Sequence, residues 1–224
     1  MSKLSVVATP IGNLEDITLR ALRTLKEADV VAAEDTRVTR KLLTHYGVHT
    51  KLVSFHANSG AKGFAKIVNL LKEGKWVALV SDAGTPSISD PGLELVSVVR
   101  EELPEVKVET VAGPSALAAA LAVAGLRVPS FTFYGFLPHK KGRETLLAEI
   151  AKGSRSSVFF ESPHRIYKTL ERLAALVPLR RVGVFRELTK MFEDHQVGYA
   201  PTLLPYFKNP QKQRGEFVVI VEGK

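Results

Sequence analysis

The feature that most constrains this sequence is an alternation between short apolar, β-branched runs and longer segments with helical periodicity. In the first half the runs include Leu4–Ala8, Asp29–Ala33 and Trp76–Val80, and amphipathic segments such as Thr18–Ala28 lie between them. Strands that alternate with helices are typical of βαβ units, in which helices cover a largely parallel sheet. The alternation therefore predicts an α/β fold.

The second half keeps the apolar runs but has fewer helical segments between them. We therefore expect a second α/β domain with a mixed sheet. The boundary is placed at the strand-to-helix segment Val111–Pro114, which gives an N-terminal α/β domain of residues 1–112 and a C-terminal one of residues 113–224. The strands expected in the second domain are Phe131–Tyr134, Ser157–Phe160, Arg181–Arg186, Phe192–Val197 and Glu216–Val221.

Composition excludes several classes of protein. The chain has no cysteine, which excludes disulfides and thiolate metal sites and is compatible with a reducing cytoplasm. It has no apolar run near the ~20 residues that span a bilayer, and we expect its start to be the first strand of a domain and not a secretory signal. The formal net charge is +8, which suits a polyanion such as RNA and suits a solvated basic surface equally well.

The segment Ser81–Gly92 is the strongest candidate for a binding loop. It follows a wholly apolar strand and contains Gly84, Pro86, Pro91 and Gly92. Glycine permits close backbone approach and proline stiffens a loop, so this composition favours a preformed site over a flexible connector. Asp82, just past the strand end, can accept hydrogen bonds from a ligand.

Two other strand-to-helix loops, Ala8–Leu14 and Ala112–Ala116, occupy equivalent positions. Open α/β sheets bind ligands outside the carboxyl ends of their strands, and ligand clefts favour domain junctions. Neither loop has the glycine spacing of a dinucleotide fingerprint or the Gly-Lys-Ser/Thr of a P-loop. Each loop is therefore interpreted in two ways, as a structural turn before a helix or as part of a ligand site.

Two motifs of the second half are ambiguous. In Val158–Arg165, Ser162 can cap a helix, His164 lacks the partner spacing of a metal ligand, and Arg165 is expected to meet phosphate or solvent. The charged residues of Phe185–Glu193 line a cleft or form a solvated hairpin. HExxH, GxSxG and kinase signatures are all absent, and we expect no metal site.

Taken in order, these motifs resemble a known family. VATPIGNLEDIT, AAEDTR, SDAGTPSISDPG, VAGPSA, FYGFLP, FFESPHRI, FRELTKMFE and GEFVVIVEG are similar to the ribosomal RNA small subunit methyltransferase I family of the tetrapyrrole methylase (class III methyltransferase) superfamily. The resemblance runs from about Val6 to Gly223. SDAGTPSISDPG and FFESPHRI are specific to the ribosomal branch. Many members continue further, so RNA contacts made by such an extension are expected to be absent here.

The resemblance implies two α/β domains with the cofactor cleft between them, a homodimer, and S-adenosyl-L-methionine as cofactor. The implied activity is 2′-O-methylation of a cytidine ribose in the decoding region of 16S rRNA within the small ribosomal subunit. The cofactor-binding residues carried over are Thr9, Pro10, Ile11, Gly12, Ser81, Asp82, Ala83, Gly84, Thr85, Ile88, Pro114, Ser115, Ala116, Phe160 and Glu161, together with Arg186 and Glu216 of the second domain.

The sequence leaves the general base and the RNA contacts open. A poorly acidic 2′-hydroxyl benefits from a base, and Asp82, Glu161, Glu187 and Lys190 are candidates, with His56 as a further possibility. The basic residues considered for RNA phosphates are Arg37, Arg40, Lys41, Lys140, Lys141 and Arg143. The alternative functions are a methylase of a tetrapyrrole (corrin/uroporphyrinogen) precursor, which the basic charge and ribosomal-branch motifs disfavour, and a non-catalytic RNA-binding module.

Overall fold

The computed structural model describes residues 2–55 and 61–224. The chain divides into two compact units, residues 1–115 and 116–224. His56 lies outside the described residues.

The first unit is built from strands that alternate with helices. The strands are β1 (Lys3–Val7), β2 (Val30–Ala33), β3 (Lys51–Ser54), β4 (Trp76–Val80) and β5 (Lys107–Val111). The helices are α1 (Leu19–Glu27), α2 (Thr36–His45), α3 (Ala61–Lys72) and α4 (Gly92–Glu102).

These strands form one sheet in the order β3-β2-β4-β1-β5, and every pairing is parallel. The predicted α/β fold is confirmed. Leu25 of α1 and Leu43 of α2 pack on one face with Val80, whereas Ile67 of α3 and Leu95 of α4 pack in a separate cluster on the other face. Both faces are covered, which explains why β4 is apolar throughout.

Helix α1 begins after Thr18, whose side chain accepts a hydrogen bond from the Ala21 amide and caps the helix. Its buried residues are Ala21, Thr24 and Leu25, whereas Leu19 is 86% exposed. The helix therefore packs on the sheet through Ala21, Thr24 and Leu25, and Leu19 lies outside the buried face. The small side chains of Ala21 and Thr24 let the helix lie close to the sheet.

The second unit contains a mixed sheet in the order β6-β7-β10-β8-β9. Strand β6 is parallel to β7, and the other pairings are antiparallel. The strands are β6 (Phe131–Phe136), β7 (Ser156–Glu161), β8 (Arg181–Arg186), β9 (Asp194–Tyr199) and β10 (Phe217–Val221). The helices are α5 (Ala116–Val123), α6 (Arg143–Lys152), α7 (Ile166–Leu176) and α8 (Ala200–Phe207).

Two elements of this unit differ from the sequence expectation. The strand expected at 192–197 is β9, two residues further along, and Phe192 is 66% exposed. Helix α8 has no counterpart among the expected elements, and it contains two prolines. Pro201 lies in its first turn, where no amide hydrogen is needed. Burial of Ala200, Leu203 and Phe207 against the core, at helical spacing, outweighs the lost bond at Pro205.

Candidate functional site

The loops that leave β1 and β4 mark a topological switch point of the first sheet. The two strands are neighbours, but β1 leads to α1 on one face and β4 leads towards α4 on the other. Adjacent loops that diverge to opposite faces leave a crevice at the carboxyl edge of the sheet, where open α/β sheets bind ligands. The topology thus singles out Ala8–Leu14 and Ser81–Gly92.

The two loops are joined directly by their backbones. The Thr9 amide donates to the Gly84 carbonyl at 2.9 Å, and the Gly84 amide donates to the Thr9 carbonyl at 3.0 Å. Gly84 has φ of +79°, and a Cβ there would lie 3.2 Å from Cγ2 of Ile11. A glycine is therefore required both by the left-handed backbone and by the close approach of the two loops.

The loop after β5 contacts both the β1 loop and the β4 loop. The Thr85 hydroxyl donates to the Pro114 carbonyl at 2.9 Å, and a Cβ on Gly113 would lie 3.1 Å from the Cβ of Ala8. The loops after β1, β4 and β5 are thus held together at one edge of the sheet. Of the residues predicted from the first unit, Thr9, Pro10 and Ile11 are buried, whereas Gly12, Asp82 and Ala83 are exposed.

The rest of the β4 loop is fixed by one carboxylate. Asp90 accepts hydrogen bonds from the amides of Ser87 at 2.9 Å and Gly92 at 2.7 Å. Ser87 and Ser89 both have left-handed backbones, with φ of 73° and 65°. Such conformations cost roughly 1–2 kcal/mol each in non-glycine residues and persist only where surrounding bonds enforce them. The loop is therefore preformed, and Ile88 lies between its two strained residues.

Acidic side chains gather at the ends of β2 and β4. The Asp82 carboxylate accepts a hydrogen bond from the Asp35 amide at 3.2 Å. Burial and then the nearby charges of Asp82, Asp90 and Asp35 raise the pKa of Glu34. A hydrogen bond from Arg37 instead lowers the pKa of Asp35 to about 2. Glu34 was not a sequence candidate, although AAEDTR, in which it lies, was one of the recognised motifs.

The Thr9 hydroxyl is a buried polar group without a partner. Thr9 is 1% exposed, and its Oγ1 makes no hydrogen bond to any part of the chain that the structure describes. An unsatisfied buried hydroxyl costs about 1–3 kcal/mol. It belongs to the residue that forms the Thr9–Gly84 bridge, so this unsatisfied group lies next to the point where the two loops meet.

In the second unit, Glu161 ends β7 as a completely buried carboxylate. Arg143 lies 2.9 Å from its Oε2, and Arg165 lies 2.9 Å from its Oε1. The Thr169 hydroxyl donates to Oε2 at 2.7 Å, and the Ser162 amide donates to Oε1 at 2.8 Å. Both oxygens are engaged, which favours a structural role for this carboxylate over proton abstraction.

This cluster corrects the expectation for Arg165. Its guanidinium faces neither phosphate nor solvent, because it is bound to Glu161 and to the backbone carbonyls of Leu137 and Pro138. Arg143, considered for RNA, has only 13% of its side chain exposed. Phe160 packs edge-on against Phe133 and Phe136.

The charges of Phe185–Glu193 form a local network with Glu216. Lys190 Nζ lies 2.9 Å from a carboxylate oxygen of Glu187 and 2.9 Å from one of Glu216. Burial alone would raise the pKa of Glu187, but hydrogen bonds from Lys190 and the Glu216 amide leave it lowered. Burial likewise opposes the bonds that raise the pKa of Lys190. Glu187 is thus ionised and Lys190 protonated near neutral pH.

The remaining basic candidates are mostly exposed. Arg37 pairs with Asp35, with 88% of its side chain exposed. Arg40 borders a shallow pocket of about 270 Å³ between α2 and β3. Lys41, Lys140 and Lys141 are exposed. The Arg186 guanidinium donates to the carbonyls of Arg214 at 2.6 Å and Phe192 at 3.2 Å.

Within residues 2–55 and 61–224, no three histidine or acidic side chains are grouped so that they could hold a metal ion. In the same residues, no helix has the length and apolarity to cross a membrane.

The family model described as Tetrapyrrole (Corrin/Porphyrin) Methylases matches residues 3–203. A relative named ribosomal RNA small subunit methyltransferase I from Thermotoga maritima is 46% identical over 224 residues and is covered completely, as is this chain. A relative of the same name from Bacillus subtilis is 43% identical, with 100% of this chain and 76% of the relative covered.

Solved structures of low sequence identity share the fold. The methyltransferase CobJ has a TM-score of 0.72 at 20% identity, covering 100% of this chain and 95% of CobJ. A uroporphyrin-III-C-methyltransferase from Thermus thermophilus has a TM-score of 0.65 at 21% identity, with 99% and 94% covered. The family model and the relatives, in turn, show that the chain belongs to the tetrapyrrole methylase family and, within it, to the ribosomal RNA small subunit methyltransferase I family.

Proposed function

We propose that this chain transfers a methyl group from S-adenosyl-L-methionine to the 2′-hydroxyl of a cytidine in the decoding region of 16S rRNA. The observation that carries the proposal is the 46% identity over the whole chain to a ribosomal RNA small subunit methyltransferase I. The net charge of +8 supports a polyanionic acceptor. The ribose position is taken from the family resemblance.

The residues at the switch point fit the chemistry of this cofactor. A ligand with hydroxyls, ring nitrogens and an amino-acid end needs backbone groups and hydroxyls held in place, and the bridged loops supply both. The unpartnered Thr9 hydroxyl is one such group. The Asp82 carboxylate suits a ligand that carries positive charge. The bridge at Gly84 excludes a side chain where the loops meet.

We therefore propose that the cofactor is held by the predicted residues of the loops after β1, β4 and β5. Those loops contribute Thr9–Gly12, Ser81–Thr85, Ile88 and Pro114–Ala116. Phe160, Glu161, Arg186 and Glu216 remain predictions carried over from the family. The sulfonium methyl is already an activated electrophile, so the chain's main task is to bring the ribose oxygen in line with it.

Among the base candidates, Asp82 is the least engaged. Glu161 has both oxygens bonded, Glu187 is paired with Lys190, and Lys190 is protonated. Asp82 is exposed, and its carboxylate accepts a hydrogen bond only from the Asp35 amide among the described residues. We propose that Asp82 faces the reacting groups, either as base or as a counter-charge to the cofactor.

The proposal further includes a homodimer that acts in the cytoplasm on the small ribosomal subunit. Sedimentation of the purified chain tests the homodimer: a mass of two chains is expected, and a monomer that still transfers methyl groups would contradict it.

The activity is tested by methyl transfer from labelled cofactor to isolated small subunits, with a tetrapyrrole precursor as the second acceptor. Nucleoside digestion should place the label on a cytidine ribose. Label on a base, or on the tetrapyrrole alone, would refute the assignment. Failure to bind the cofactor would favour a non-catalytic RNA-binding module.

The role of Asp82 is tested by Asp82→Ala, which should weaken cofactor binding in a calorimetric titration. Glu73→Ala is the matched control, because Glu73 is an exposed carboxylate before β4 instead of after it. Equal cofactor affinity in the two variants would contradict a role for Asp82 as counter-charge, and an equal kcat would contradict a role as base.

A further inference from the structure

We propose that Glu161, Arg143 and Arg165 form a positioning network that holds the backbone of loop 138–142 in one conformation, so that Lys140 and Lys141 present two positive charges from a fixed backbone to RNA phosphates. The inference rests on the proposed function, because it assigns a surface to the RNA acceptor. Loop 138–142 connects β6 to α6 and has the sequence Pro-His-Lys-Lys-Gly.

Arg165 ties the beginning of the loop to the end of β7. Its Nη1 donates to the carbonyls of Leu137 at 2.8 Å and Pro138 at 3.1 Å. Its Nε donates to the Ser162 hydroxyl at 3.0 Å and lies 2.9 Å from Glu161 Oε1. One guanidinium therefore joins the loop backbone to the buried carboxylate.

Arg143 ties the end of the loop to the same carboxylate. It is the first residue of α6, directly after Gly142, and its Nη2 lies 2.9 Å from Glu161 Oε2. Arg143 also donates to the Thr169 hydroxyl, which in turn donates to Glu161. Because Arg143 and Arg165 share one carboxylate, the two ends of the loop are held at a set separation.

Stability alone does not account for this network. A buried ion pair is often no more stabilising than apolar residues of similar volume, and the apolar side chains of Leu137, Leu147 and Ile166 lie in the core cluster of this unit. A cation in the first turn of α6 opposes the helix dipole. Arg143 Nη1 is also buried without a partner among the described residues. Since these features are unfavourable, what the network achieves is the placement of the loop backbone.

The loop between these anchors carries exposed positive charge. His139, Lys140 and Lys141 are consecutive and exposed. In the described part of the chain neither lysine forms an ion pair, whereas the Arg143 guanidinium is paired with the buried Glu161. Two unpaired ammonium groups on one loop suit a chain of phosphates, and fixing the loop backbone beforehand lowers the ordering cost of binding.

The first test removes the charges. Lys140→Ala/Lys141→Ala should raise the KM for small subunits and weaken binding of a 16S rRNA fragment measured by filter retention without cofactor. The slope of log affinity against log salt should fall by about 1.4–1.8, since each phosphate contact contributes about 0.7–0.9. Cofactor affinity should not change. The matched control is Lys152→Ala/Lys208→Ala, two exposed lysines outside the loop, and an equal effect of both pairs would overturn the proposal.

The second test separates positioning from folding. Arg165→Lys keeps the charge but lacks the fork that reaches Glu161 and two carbonyls together. It should raise the KM for small subunits while kcat stays unchanged. In the Lys140→Ala/Lys141→Ala background it should add less than about a twofold further effect, because coupled residues are not additive. A full, independent loss in that background would show that Arg165 does not act through the two lysines and would refute the inference.

The two proposals fail separately. If the chain binds the rRNA fragment with the loop-dependent salt slope but methylates no subunit, the proposed function is refuted and the loop surface stands. If subunits are methylated and the lysine pair changes neither KM nor slope, the loop surface is refuted alone.

Discussion

Gly84→Ala tests whether the contact between the β1 and β4 loops shapes the binding site. Gly84 has φ of +79°, and an added Cβ would lie 3.2 Å from Ile11 Cγ2 and 3.8 Å from the Pro114 carbonyl. Alanine in a left-handed conformation costs roughly 1–2 kcal/mol. The 3.2 Å contact in addition requires Ile11 to move by a few tenths of an ångström, and Ile11 belongs to the predicted cofactor loop.

The chain offers a control matched in backbone conformation. Gly74 has φ of +82°, and a Cβ added there would have no atom within 4 Å. It lies in the turn between α3 and β4, at the opposite edge of the sheet from Gly84. Gly74→Ala should therefore lose the same roughly 1–2 kcal/mol of unfolding free energy in urea titrations, through backbone strain alone.

Only Gly84→Ala should also lose cofactor affinity. If displacement of the loops takes about 1 kcal/mol from binding, the dissociation constant for S-adenosyl-L-methionine rises about fivefold. Isothermal titration calorimetry on both variants measures this directly. Equal affinities for the two variants, at similar losses of stability, would show that the contact between the loops does not shape the cofactor site.

Three further outcomes are expected. Thr9→Val and its control Thr39→Val each replace a buried hydroxyl without a partner in the described residues, so both should gain up to about 1 kcal/mol of unfolding free energy. Only Thr9→Val should bind the cofactor more weakly, and unchanged affinity would speak against the Thr9 contact. Glu161→Ala leaves two guanidinium groups unpaired and should lose about 3–5 kcal/mol, whereas Glu144→Ala breaks an exposed pair with Arg172 and should lose at most about 1 kcal/mol; similar losses in urea titrations would contradict the buried network. Burial raises the pKa of Asp194, but hydrogen bonds from Tyr206, Gln196 and Lys212 outweigh it and leave the pKa below 3.8. A carboxyl whose pKa is lowered by folding stabilises the fold at pH values above its ordinary pKa. It loses that contribution as the pH falls through its pKa in the folded protein. Asp194→Asn should thus be less stable than the parent chain at neutral pH, with the difference shrinking below pH 3.8, and a constant difference would refute the assignment.

Much of the architecture follows from local sequence patterns. Strands such as Trp76–Val80 are bounded by polar and glycine-containing segments, and their apolar character reports burial on both faces. Parallel pairing then brings the ends of β1, β4 and β5 to one edge, so the loops at Thr9, Asp82 and Pro114 were predicted together without coordinates. The order of the motifs along the chain also indicated the family. Helix α8 was missed because Pro205 argues locally against a helix, while the burial that outweighs it is tertiary.

What only the tertiary structure decided is how distant segments meet. The order of the strands makes β1 and β4 neighbours, and the Thr9–Gly84 bridge joins residues 75 positions apart. The fate of charged side chains is equally non-local. Lys141 and Arg143 are basic residues only two positions apart, yet Arg143 is turned inwards because its guanidinium pairs with Glu161 at the end of β7. A sequence shows which residues carry charge, but the partners that bury a charge or leave it free are contributed by elements far along the chain.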